Sequence, residues 1–138
     1  MTDDPRQHGG ATVELVMLAP ALMAIVLFIV FAARMGQAKL DVSQAAAAAA
    51  RAASMAQTTS AASSDAQSTA QSNLHAAGVD CAAESVDVST SMAPGGKVTV
   101  TVACAIALSD IGGVGLPGAR TVTSRAVEPI DVYRGTGP

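Results

Sequence analysis

The chain has 138 residues, 8 basic and 11 acidic side chains, a formal net charge of −3 and two cysteines. That balance argues against a nucleic-acid binder, which usually shows a basic stripe. Only 2% of residues are aromatic, and from Gln37 to the C-terminus 21 large apolar side chains (Val, Ile, Leu, Met, Tyr) are counted. They suffice for one thin core and argue against an enzyme with a deep pocket.

Residues 15–33, LVMLAPALMAIVLFIVFAA, form a run of 19 without a charged or strongly polar side chain. At about 1.5 Å per residue such a helix nearly spans a hydrocarbon core. Lipid offers no partner to an open backbone, so a helix is the form this run takes in a membrane. The alternative, a buried core helix, lacks enough bulky residues elsewhere to wrap it. Pro20 stands inside the run. It removes one backbone donor and predicts a kink or local loosening in the membrane segment.

The run exceeds the 7–15 residues usual for a signal-peptide core. Gly36-Gln37-Ala38 is nonetheless a small-x-small site, so a secreted binding module beginning at Lys39 is the competing reading. The topology signals conflict. Arg6 precedes the run and Arg34, Lys39 and Arg51 follow it, which by charge alone places the C-terminal side in the cytoplasm. The cysteines and Thr/Ser-rich strands suit an extracytoplasmic domain.

Residues 37–57 continue as helix, with six successive alanines at 45–50 and no Gly or Pro. A polar stripe runs through Gln37, Asp41, Gln44, Arg51, Ser54 and Thr58; the other side is Ala-rich, with Leu40 for bulk. That smooth side packs either on the chain's own domain or on neighbouring helices. Residues 58–64, TTSAASS, read as a loop, and 65–77 as a second helix stopped by Gly78 at C′. His75 is a lone histidine suited to the helix C-terminus rather than to a metal.

The remainder reads as β. Val86 and Val88 alternate with polar residues, Pro94-Gly95-Gly96 marks a turn, and residues 97–108 place Val98, Val100, Val102, Cys104, Ile106 and Leu108 on one face. Residues 120–127 and a tail at 130–133 supply further strand. The expected fold is α+β: a long N-terminal helix, a second short helix and a small three-stranded antiparallel sheet with one face covered by helix. A hairpin about Pro94-Gly95 puts positions near 84 opposite 104, within reach of Cys81. A Cys81–Cys104 disulfide is expected; a buried free thiol is the alternative, and metal chemistry has no supporting spacing. Catalysis is equally unsupported. No nucleophile stands with a base, no ligand cluster appears, and Gly112-Gly113-x-Gly115 precedes no helix, so no cofactor is expected.

The most informative stretch is Gly9-Gly10-Ala11-Thr12-Val13-Glu14-Leu15, directly before the apolar run. A carboxylate at the mouth of a membrane segment is costly unless it stays at the interface or meets a cation. The stretch resembles the junction of type IV prepilins, specifically TadE-like proteins of the tight-adherence (Tad/Flp) pilus system. The Ala-rich continuation to Ala56 is similar too. Residues 98–108 with Cys104, then 115–118 and 126–134, look like actinobacterial members. The resemblance implies a cytoplasmic leader, residues 1–9, a transmembrane segment, 10–36, and an extracytoplasmic domain, 37–138. It implies cleavage between Gly9 and Gly10 by a prepilin peptidase. The new ammonium at Gly10 of one copy would then compensate Glu14, the fifth residue after the cut, in another. Implied partners are membrane lipid, the peptidase, other pilins or pseudopilins and the Tad secretion machinery. Major Flp pilins are shorter and carry an aromatic where Leu15 stands, so the resemblance points to a minor pilin or pseudopilin.

Overall fold

The computed structural model describes residues 8–107 and 118–133, with side chains from Glu14 onward. Residues 1–7, 108–117 and 134–138 lie outside the described residues, and with them most of the expected leader at 1–9, Leu108 of the expected strand face and the Gly112-Gly113-x-Gly115 run.

A single helix, α1, runs over His8–Met55, 48 residues. Its second half buries Val42, Ala45, Ala46, Ala49, Ala50 and Ala53. The three-and-one spacing of these positions is one stripe of an α-helix. The alanine face therefore packs on the chain's own domain. Leu40, expected to add bulk there, is 63% exposed, and Val42 occupies the stripe instead.

The polar stretch expected as a loop is helical: α2 spans Thr59–Ala76. Thr58 is its N-cap, accepting from Ala61 N–H at 3.1 Å. Serine hydroxyls that favour loops in isolation bond back onto helix carbonyls here, Ser63 to Thr59 and Ser64 to Ala61. Burial of Ala62, Ala66, Ala70 and Leu74, four residues apart, holds the helix down. The helix ends as expected at Gly78, whose φ is +70°. Gly78 N–H donates to His75 O and Val79 N–H to Leu74 O, each at 3.0 Å, a Schellman closure.

Three strands follow, β1 (Cys81–Thr90), β2 (Lys97–Ala107) and β3 (Ala119–Pro129), in one antiparallel sheet of order β1-β2-β3. Val98, Val100, Val102, Cys104 and Ile106 of β2 are buried beneath the helices. α1 covers β2 and β3, and α2 touches β1. The turn is Ala93-Pro94-Gly95-Gly96, with Gly95 at φ +72° and Gly96 N–H donating to Ala93 O at 2.8 Å. That is the type II pattern, Pro then Gly. A Cβ on Gly96 would lie 2.6 Å from Ser91 Oγ and 2.8 Å from Ala93 O. Because the second contact is backbone, Gly96→Ala is expected to destabilise the domain by about 1–3 kcal/mol. A lowered denaturation midpoint in detergent-held protein checks it; an unchanged midpoint refutes the close approach.

The tail at 130–133 adds no strand. β3 ends at Pro129, which has no N–H to donate. Ile130 is buried and donates its N–H to Gly96 O, and the Asp131 carboxylate accepts from Tyr133 N–H at 2.9 Å, forming a turn.

Candidate functional site: the exposed apolar helix and its junction with the sheet

From Glu14 to Val30 every residue of α1 is exposed. Leu15 and Phe28 are each 71% exposed, and every large apolar side chain between them is at least half exposed. Contact with the domain begins at Phe31 and Met35, which are half-buried against the core, and is complete at Val42. The free stretch from Glu14 to Val30 spans about 25 Å as a helix. A soluble monomer rarely exposes so large an apolar patch. This one helix is long and apolar enough to cross a membrane.

Glu14 heads that stretch, and its side chain is exposed beside Leu15 and Leu18. Gly9 and Gly10 lie in the first turn of α1, and Pro20 lies within it. Gly10 and Glu14 are four residues apart, hence on one helix face.

Where α1 meets the domain, a cleft is lined by Arg34, Asp41, Asp80 and Ile106 with the end of α2 at Ala77 and Gly78. Arg34 sits beside the carbonyl end of α2, the end that favours a cation. The sequence hinted at this only through the seven-residue spacing of Arg34 and Asp41. At the far end, Arg51 and Met55 share a groove with Glu128, which pairs with Val98. α1 therefore runs along the strands, antiparallel to β2.

Cys81 and Cys104 are joined by a disulfide, Cα–Cα 5.3 Å. The register places Glu84 opposite Cys104, as the hairpin arithmetic predicts. Plain alternation would turn Cys81 to the other face. Between Cys81, opposite Ile106, and Ala83, opposite Ala105, β1 carries one extra residue, Ala82. The bulge returns Cys81 to the inner face. Glu84, opposite Cys104, faces inward as well, with Oε1 buried and no hydrogen-bond partner among the described residues. Among those residues no group of three or more His, Cys, Asp or Glu is placed to hold a metal ion.

These features define a class: one apolar N-terminal helix, compatible with a single-pass membrane anchor, continuing into a disulfide-closed α+β head. The family model for TadE-like proteins matches residues 9–51. That stretch holds the junction, the exposed apolar run and the first part of the buried stripe. The match supports a TadE-like pilus assembly protein and fits a chain associated with Tad pili. No curated protein matches the chain, and no solved structure does.

Proposed function

We propose that the chain is a single-pass pseudopilin or minor pilin that takes part in assembling a Tad-type pilus, with a structural rather than a catalytic role. The observation that carries this reading is the exposed apolar run that begins one residue after Glu14, inside the TadE-like segment. The likeness of residues 98–134 to actinobacterial members belongs to the same reading. The leader is cytoplasmic, the head extracytoplasmic, and the partners are membrane lipid, a prepilin peptidase and other pilus components.

Cleavage falls between Gly9 and Gly10. Glycine costs about 1 kcal/mol more than alanine in a helix, so two in the first turn favour the local unwinding that a peptidase needs. The ammonium created at Gly10 then neutralises Glu14 of a sister copy in a dry bundle. Pro20 leaves the Val16 carbonyl without its helical donor, a loosening that neighbouring helices cover.

Mass spectrometry of the protein extracted from membranes of its own host is expected to find Gly10 at the N-terminus. An intact leader in cells with an active prepilin peptidase overturns the processing. Glu14→Gln is expected to insert normally and to lower incorporation into pilus-like assemblies about ten-fold or more, the equivalent of at least ~1.4 kcal/mol. Normal assembly removes the role given to the carboxylate. The competing secreted module would be cut after Ala38, in the middle of α1, where that residue already packs on the core. Recovery from culture fluid of a chain starting at Lys39 would favour it.

A further inference from the structure

The sheet has a second face that neither helix covers. Odd-numbered residues of β2 and β3 and, past the bulge, of β1 point outward, in rows fixed by the register: Ser89–Thr99–Val127, Asp87–Thr101–Arg125 and Ser85–Ala103–Thr123. Most of these side chains are small, so the face is flat. Asp87 and Arg125 are exposed at opposite edges of one row, two strand spacings or about 10 Å apart. Neither side chain has a hydrogen bond or ion pair among the described residues.

We infer that this face docks on the same face of a second copy, about a two-fold axis parallel to β2. Rotation about that axis exchanges the sheet edges. It sets Asp87 of each copy over Arg125 of the other, with Thr101 meeting Thr101 at the centre. The other face-to-face packing, about an axis across the strands, stacks Asp87 on Asp87 and Arg125 on Arg125 and is disfavoured. Lys97, the remaining charge on the face, lies at its rim and stays in water.

The chosen axis has a second consequence. Because α1 runs along the strands, both apolar helices leave the pair in the same direction and enter one membrane. That step rests on the anchored reading above; the face pairing does not. Three strands about 5 Å apart and roughly 30 Å long cover ~400 Å² per copy, half a standard interface. The pair is therefore weak in dilute solution, and confinement of both copies to one membrane supplies the effective concentration it needs.

Both native cysteines are engaged in the disulfide, so single added cysteines report cleanly. Full-length Thr101→Cys in native membranes is expected to form a disulfide-linked species of twice the chain mass on mild oxidation. Ala103→Cys, on the same strand, is a second reporter should the first fail to fold. Ser89→Cys, which faces Val127 of the other copy, is expected to stay monomeric. Asp87→Arg should cut the Thr101→Cys cross-link at least five-fold, and adding Arg125→Asp should restore it. Absence of the cross-link in both reporters, indifference to charge reversal, equal cross-linking at Ser89→Cys, or an adduct with a different protein each overturns the pairing. Fractionation of the same sample tests membrane anchoring separately.

Discussion

Full-length protein carrying Cys81→Ala and Cys104→Ala is expected to lose about 3 kcal/mol of stability in its α+β head. The disulfide spans 23 positions, and closing a loop of that size restricts the unfolded chain by roughly this amount. For a head of about 100 residues, each kcal/mol shifts the thermal midpoint by about 4–8 °C, so a fall of roughly 12–24 °C follows. The effect is large because the core is built mainly of Ala and Val, whose side chains bury little area each. The bond also ties the bulged start of β1, just past the end of α2, to the central strand. The measurement is loss of the β-sheet amide I signal in mild detergent, since the apolar half of α1 stays helical there throughout. Reduction of the wild type should reproduce the shift. A midpoint within 2–3 °C of wild type would mean that the bridge constrains nothing the sheet does not already hold.

Legibility of the fold followed the size of the side-chain signal. β2 was readable because Val98, Val100, Val102, Cys104 and Ile106 alternate with Thr and Ala over its whole length, and each is buried. The turn was readable because Pro94 fixes φ and Gly95 takes a positive one. The stop of α2 was readable because Gly78 adopts the left-handed cap. Its start was not: the hydroxyls of residues 58–64 support loop or helix equally, and burial of Ala62 and Ala66 decided the matter. Nor was the bulge visible, because Ala82 and Ala83 carry no pattern; hairpin arithmetic found the Cys81–Cys104 pairing without the feature that turns Cys81 inward. At the candidate site, the apolar run and its carboxylate stood out in the sequence. The cleft of Arg34, Asp41 and Asp80 did not, since it exists only once the end of α2 is laid against α1. The outward row of Asp87 and Arg125 likewise needed the register of both strand pairs.

Leu74→Ala is expected to cost about 3–5 kcal/mol, the upper part of the range for a buried leucine. Leu74 is 2% exposed and among the bulkiest fully enclosed side chains in the head. The buried stripes of the two helices offer little to fill the space. The rest of the α2 stripe is Ala62, Ala66 and Ala70, and the facing stripe of α1 is alanine apart from Val42. Alanines have no rotamers with which to move in, so the cavity stays open. The Leu74 carbonyl also accepts the Val79 N–H that closes the helix, which places the side chain at the point where the chain turns from α2 toward β1. Leu74→Met, nearly equal in volume, should cost less than about 1.5 kcal/mol. Leu40→Ala, at a position 63% exposed, should change the stability by under about 0.5 kcal/mol. Comparable losses at Leu40 and Leu74 would mean that the head is not held by the stripe of α2, and the packing of α2 between α1 and β1 would have to be redrawn.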